Sequence, residues 1–197
     1  MHERNRRLLD AARRGDATEV RAALDAGASV STCDEELRSP LLLASLYSHL
    51  EAARVLVAAG ADPNAQDARH DSAWLVTGVT GSVPMMRVLL PAGPDLTLRN
   101  RFGGVSLIPA SERGHVAYVR AVLSETDIDV NHVNDLGWTA LLEAVILGDG
   151  GRDHRAIVEL LLAAGARRDL ADVDGVTPLR HAERRGFEDL AALLRAA

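Results

Sequence analysis

Cysteine is almost missing from this 197-residue chain: Cys33 stands alone. No intrachain disulfide can form, which excludes a secreted disulfide scaffold. Aromatic residues amount to only 3%, while apolar residues reach 47%. A core of that composition must be built from Leu, Val, Ile and Ala, which suits closely packed helices and not a large β-sandwich. Excess positive charge is missing too. The formal net charge is -6 and the pI about 5.6, so general affinity for nucleic acid or for anionic membranes is not expected. No window reaches the roughly 18 uninterrupted apolar residues of a membrane span. The positively charged N-terminus is not followed by the apolar run of a signal peptide. The expectation is a soluble cytoplasmic protein.

What the chain does have is self-similarity. Ser39-Pro40-Leu41, Ser72-Ala73-Trp74, Val105-Ser106-Leu107, Thr139-Ala140-Leu141 and Thr177-Pro178-Leu179 start corresponding segments, at spacings of 33, 33, 34 and 38 residues. An earlier copy, with a degraded start, fits at Arg6 to Ala11. Each start leads into an alanine-rich segment, a break near Gly or His, and a second apolar segment. Leu56-Val57-Ala58-Ala59-Gly60-Ala61-Asp62 recurs as Leu161-Leu162-Ala163-Ala164-Gly165-Ala166-Arg167.

The local physics follows from these residues. Ser or Thr can cap the free N–H groups of a helix start, and Pro is tolerated in the first turn. Leu41 with Ala44, and Leu141 with Ala144, share a helical face. A second helix follows, as over Leu50 to Ala59 or Arg155 to Ala164, and Gly27, Gly60, Gly93 and Gly165 end it in a left-handed turn. A polar hairpin-like finger then leads into the next copy. One such helix pair cannot bury both its faces, so neighbours must cover it.

The register of starts, alanines and terminal Gly-Ala-Asp resembles the ankyrin repeat over nearly the whole chain. Residues 44–47, 101–105, 137–144 and 148–151 are similar to short bacterial ankyrin-repeat proteins. The resemblance implies an all-α solenoid: one domain of six stacked helix-turn-helix copies in L-shaped layers with finger loops. The copies run at about 1–33, 34–66, 67–99, 100–133, 134–171 and 172–197. The first copy has a charged, cap-like surface; no outgoing finger follows the last, which reads as the end of the array. The third copy is expected to be the softest, because Gly78 and Gly81 fall in its first helix and Pro91 near the end of its second. Residues 148–153 form an insertion read as a flexible loop.

No catalytic set assembles. Cys33 lies beside acids in a finger, the serines lack a strained elbow, and His49 and His115 at helix joints and His154 after the insertion read as locally hydrogen-bonded residues. Glu143 and His181 sit at equivalent places in adjacent copies, too far apart to share a metal. No metal, cofactor or enzymatic activity is expected. In ankyrin stacks, finger tips and the exposed side of each first helix line a concave groove. Carried over, those places give Tyr47, Arg101, Phe102, Glu112, Arg113, Leu136, Trp138, Glu143, Ile146, Leu147 and Arg184, centred on the fourth and fifth copies. Apolar surface rimmed by charge suits a partner site. The resemblance therefore implies a monomeric, non-enzymatic adaptor for a protein or peptide with apolar anchors and acidic flanks. A metabolite-binding regulatory protein using the same groove is the alternative. Phe102 and Trp138 either anchor the partner or fold back between copies.

Overall fold

The computed structural model describes residues 2–196, and among these every regular element is helical. Contacts divide the chain into two compact units, Met1–Arg101 and Phe102–Ala197. The first contains α1 (Glu3–Arg14), α2 (Ala17–Asp25), α3 (Pro40–Leu46), α4 (Leu50–Ala58), α5 (Leu75–Thr80) and α6 (Val83–Leu89), the last followed by a 3₁₀ turn at Leu90–Ala92. The second contains α7 (Leu107–Glu112), α8 (Val116–Glu125), α9 (Ala140–Ile146), α10 (Arg152–Ala163), α11 (Pro178–Arg184) and α12 (Glu188–Ala196). Helices pair in chain order. In the first unit α1 packs on α3 and α3 on α5, while α2 packs on α4 and α4 on α6. In the second, α7, α9 and α11 form one row and α8, α10 and α12 another.

The starts work as their residue types dictate. Ser39 Oγ accepts the N–H of Leu42 (3.1 Å), Thr139 Oγ1 that of Leu142 (3.2 Å), and Thr177 Oγ1 that of Arg180 (3.4 Å). Pro40 and Pro178 stand in the first turns of their helices. Val105, at the same place before α7, has no hydroxyl to offer, and α7 has no side-chain cap. The shared interior is aliphatic: Leu41, Ala44, Leu141 and Ala144 are completely buried.

The helix ends show one regular solution and two departures from it. At Gly165 the backbone turns left-handed (φ 89°), so that Ala166 can donate its N–H to the Leu161 carbonyl at 2.9 Å. α8 has no glycine there. Instead Thr126 Oγ1 donates to the Val122 carbonyl (2.6 Å) and the chain leaves extended. In the third copy Pro91 ends α6 early, and the helix tightens into the 3₁₀ turn. Gly81, read in sequence as helix interior, is the left-handed residue that ends α5. Trp74, just before α5, is completely buried with its indole N–H unpaired.

The insertion at 148–153 is held down at several points. The Ala144 carbonyl and the His154 ring occupy the space a side chain at Gly148 would need, and the Phe187 ring does the same at Gly150. Asp149 Oδ1 accepts the N–H of Gly151 at 2.8 Å and faces His154 Nδ1 at 2.8 Å. His154 Nε2–H in turn donates to the Glu112 carbonyl (2.8 Å), as His49 Nε2–H does to the Arg13 carbonyl (3.0 Å). Despite the extra residues, the insertion restores the histidine to the helix joint. In the last copy Phe187 stands where the histidine would. Arg185 takes over by donating to the carbonyls of Val145 (3.0 Å) and Ile146, with its guanidinium 4.4 Å from the Phe187 ring centre.

Two glycine substitutions separate steric need from backbone need. Gly165→Ala places its methyl in open space and pays only for the left-handed backbone, about 1 kcal/mol. Gly148→Ala drives a methyl into a backbone carbonyl and is expected to cost about 2 kcal/mol or more. Urea denaturation should show the larger drop in midpoint for Gly148→Ala.

Candidate partner-binding surface

Four of the fingers are each built around one Asp or Asn side chain. Asp34 Oδ1 accepts the N–H groups of Glu36 and Arg38, and Asp67 Oδ1 those of Arg69 and Asp71. Asn134 Oδ1 accepts from Leu136 (3.0 Å) and Trp138 (2.9 Å), and Asp172 Oδ1 from Asp174 and Val176. The tight turn needs a left-handed residue third after this hub, which is Leu37, His70, Gly137 and Gly175 in turn. The hub residues recur at the spacing of the helix starts. Sequence reading passed over them as generic polar turn residues, although that recurrence was the signal.

Neighbouring fingers are joined through their backbones. In the first unit the N–H of Ala68 donates to the Glu36 carbonyl (2.9 Å). In the second, the N–H of Asp135 donates to the Phe102 carbonyl (2.9 Å), and His132 Nε2–H to the Gly103 carbonyl (2.7 Å). This lattice sets Phe102 and Leu136 at corresponding finger-tip places, where their side chains are 51% and 49% exposed.

The structure distributes the eleven surface residues named from sequence between the two units. Tyr47 and Arg101 belong to the first. Tyr47 is exposed at the end of α3, its ring 6.0 Å from that of His49, and Arg101 lies 3.6 Å from the Asp71 carboxylate. The other nine belong to the second. Arg113, Leu147 and Arg184 are exposed at the C-terminal ends of α7, α9 and α11, while Glu112 and Ile146 are half-buried there. Trp138 is half-buried. Glu143 departs from the expected exposed position: it turns inward, is only 5% exposed, and accepts the Asn134 side-chain N–H at 2.9 Å.

Comparison with known proteins agrees with this architecture. A family model described as ankyrin repeats, three copies, matches residues 75–167, and a single ankyrin repeat matches residues 36–68. The putative ankyrin repeat protein YahD of Escherichia coli is 45% identical over 96% of this chain and 94% of its own length. The chain belongs to the ankyrin-repeat family. A crystal structure of an ankyrin repeat domain from Acinetobacter baumannii AYE superposes with a TM-score of 0.92 at 44% identity, covering 96% of each chain. That of the ankyrin repeat protein EF0377 does so at 0.93 with 35% identity, covering 99% of this chain and 98% of the other. Ankyrin repeats generally serve as scaffolds for protein–protein contact.

Within this ankyrin fold the polar chemistry goes mostly into structure. Among the described residues no group of three His, Cys, Asp or Glu side chains is placed to hold a metal, and no helix is long and apolar enough to cross a membrane. His181, at the place of Glu143 in the next copy, donates through Nε2–H to Asp172 Oδ2 at 2.6 Å. The N–H of Val176, ahead of His181, holds the Asp172 carboxyl below its ordinary range. Glu143 goes the other way. Burial, and then the nearby Glu112 charge, push its carboxyl from 4.5 to about 7, against the Asn134 hydrogen bond.

The sign of the resulting pH dependence follows. Folding takes up a proton between the unfolded value of 4.5 and about 7, so stability falls as pH rises through that window and levels off above it. Glu143→Gln keeps an acceptor for Asn134 and removes the charge. The variant should match the wild type near pH 4 and exceed it at pH 8 by about 1–2 kcal/mol, less than the full shift because solvent screens part of it. Urea titrations at the two pH values measure the difference.

Proposed function

We propose that this chain is a non-enzymatic adaptor, a monomeric array of six copies working in the cytoplasm, that captures a protein or peptide on the finger and helix-end surface of its fourth and fifth copies. The observation that carries this reading is the pair Phe102 and Leu136. Two large apolar side chains stand half-exposed on adjacent finger tips, on turns tied to each other by backbone hydrogen bonds. A solubility-driven surface would place polar residues there, and a contiguous apolar patch marks a partner site. Leu147 is a further exposed apolar side chain, at the end of α9, and Trp138 in the same finger as Leu136 is half-buried.

The rim supplies the partner's polarity. Arg113 and Arg184 are exposed, and neither guanidinium forms an ion pair among the described residues. Some other arginines are committed within the fold, as Arg7 to Glu19 and Arg185 to helix-end carbonyls. Guanidinium groups without an internal ion pair, on the same unit as the apolar anchors, favour a ligand with apolar side chains flanked by carboxylates.

The test is affinity purification followed by binding measurement with the protein recovered. Phe102→Ala combined with Trp138→Ala should weaken that interaction at least ~30-fold, since each lost aromatic anchor is worth about 1–3 kcal/mol, with helical circular dichroism unchanged. Arg113→Glu with Arg184→Glu should slow association and reduce its salt dependence. Affinity unaffected by the aromatic pair would remove this surface from consideration.

A further inference from the structure

Asn134 differs from the carboxylate hubs Asp34, Asp67 and Asp172 in where the charge lies. Asp34 and Asp172 are themselves carboxylates, and each meets a basic side chain: Arg38 at 2.8 Å and His181 at 2.6 Å. Asn134 is neutral. Its side-chain N–H donates to Glu143 Oε1, and the charge sits on that buried carboxyl, inside the helix row. The same Asn134 amide oxygen holds the N–H groups of both Leu136 and Trp138, while its backbone N–H donates to the Trp138 carbonyl (3.0 Å). One planar amide therefore links the ionisation of Glu143 to the turn that presents Leu136 and Trp138.

No cation neutralises Glu143 among the described residues. The neighbouring α7 brings Glu112, of like charge, and the exposed Arg113. From α11 come His181, committed to Asp172, and Arg185, committed to the carbonyls of Val145 and Ile146. From α10 comes His154, held between the Glu112 carbonyl and Asp149. The finger itself adds Asp135, which is exposed, and just before Asn134 His132, whose Nε2–H is committed to the Gly103 carbonyl. The carboxyl is left to exchange its proton with water, and burial brings that exchange close to neutral pH.

We propose that Glu143 acts through Asn134 as a proton-sensitive latch on the finger that presents Leu136 and Trp138 to the partner. Ionised, the carboxylate is a charge-assisted acceptor that pins the Asn134 amide and, with it, both finger N–H groups. Protonated, it offers Asn134 only a neutral acceptor, and the turn relaxes around Trp138. The consequence, partner binding that changes across neutral pH, rests on the adaptor reading above; the titration of the finger does not.

The latch is tested on the free protein. In a Trp74→Phe background Trp138 is the one remaining indole. Its fluorescence, the Leu136 and Trp138 amide shifts, and the carboxyl carbon shift of Glu143 are followed from pH 5 to 9. The expected result is a common midpoint near 7 in all of them, lost from the finger signals in Glu143→Gln and moved to lower pH in Glu112→Gln. Finger signals that stay flat while Glu143 titrates overturn the latch, as does a titration that survives in Glu143→Gln. Glu143→Gln that retains native circular dichroism validates the comparison; if it unfolds, Glu112→Gln alone decides by whether the midpoint moves. A flat finger in a protein whose partner binding still depends on Phe102 and Trp138 sinks the latch and leaves the surface standing. A titrating finger in a protein indifferent to those residues does the reverse.

Discussion

The helices of this protein are too short to be stable alone. α7 has six residues and α9 seven, well below the ~12–15 that even a good isolated helix needs in water. They persist because each pair lends an aliphatic face to the next, as α7, α9 and α11 do in one row and α8, α10 and α12 in the other. The alanines at each seam set how closely neighbouring helices approach. Everything else on the surface is placed by that shared interior: which helix ends come level, which fingers lie side by side, and which side chains remain for another molecule.

The fingers are a second lattice, polar where the helix rows are apolar. A single carboxylate or amide organises four of the turns, and backbone hydrogen bonds tie Glu36 to Ala68 and Phe102 to Asp135. Such turns can carry large apolar side chains at their tips without collapsing, since turn geometry does not depend on burying them. Phe102 and Leu136 are exposed for that reason, and the protein keeps an apolar surface that a loop of ordinary flexibility would fold away. Where an expected junction residue is missing, its hydrogen-bonding role passes to another group: Thr126 for a terminal glycine, Arg185 for a joint histidine, and His154 displaced in sequence but not in place.

Much of the architecture was legible because it is repetitive and local. Ser39 and Thr139 announce helix starts by chemistry that operates within three residues, and Gly165 ends a helix by a backbone preference of its own. The early stop at Pro91 was readable for the same reason. The site was less so. Tyr47, Phe102, Leu136 and Leu147 were placed at the surface from register and are exposed, but the same register put Glu143 beside them, and it points inward. Its direction depends on Asn134, nine residues earlier and across a turn. The insertion at 148–153 read as flexible because its glycines are permissive; they are there because Phe187, His154 and a carbonyl leave no room for a side chain.

By itself, the sequence determined the helical class, the period and the aliphatic character of the core, since each follows from side-chain chemistry acting within a turn or two of chain. Only tertiary structure decided which polar groups meet. The Asn134–Glu143 contact, the finger-to-finger hydrogen bonds at Phe102, and the anchoring of Gly150 against Phe187 join residues whose proximity no local preference encodes. Burial then altered their chemistry: a glutamate that would be fully ionised in the open chain at neutral pH holds its proton near neutrality once the helices close around it.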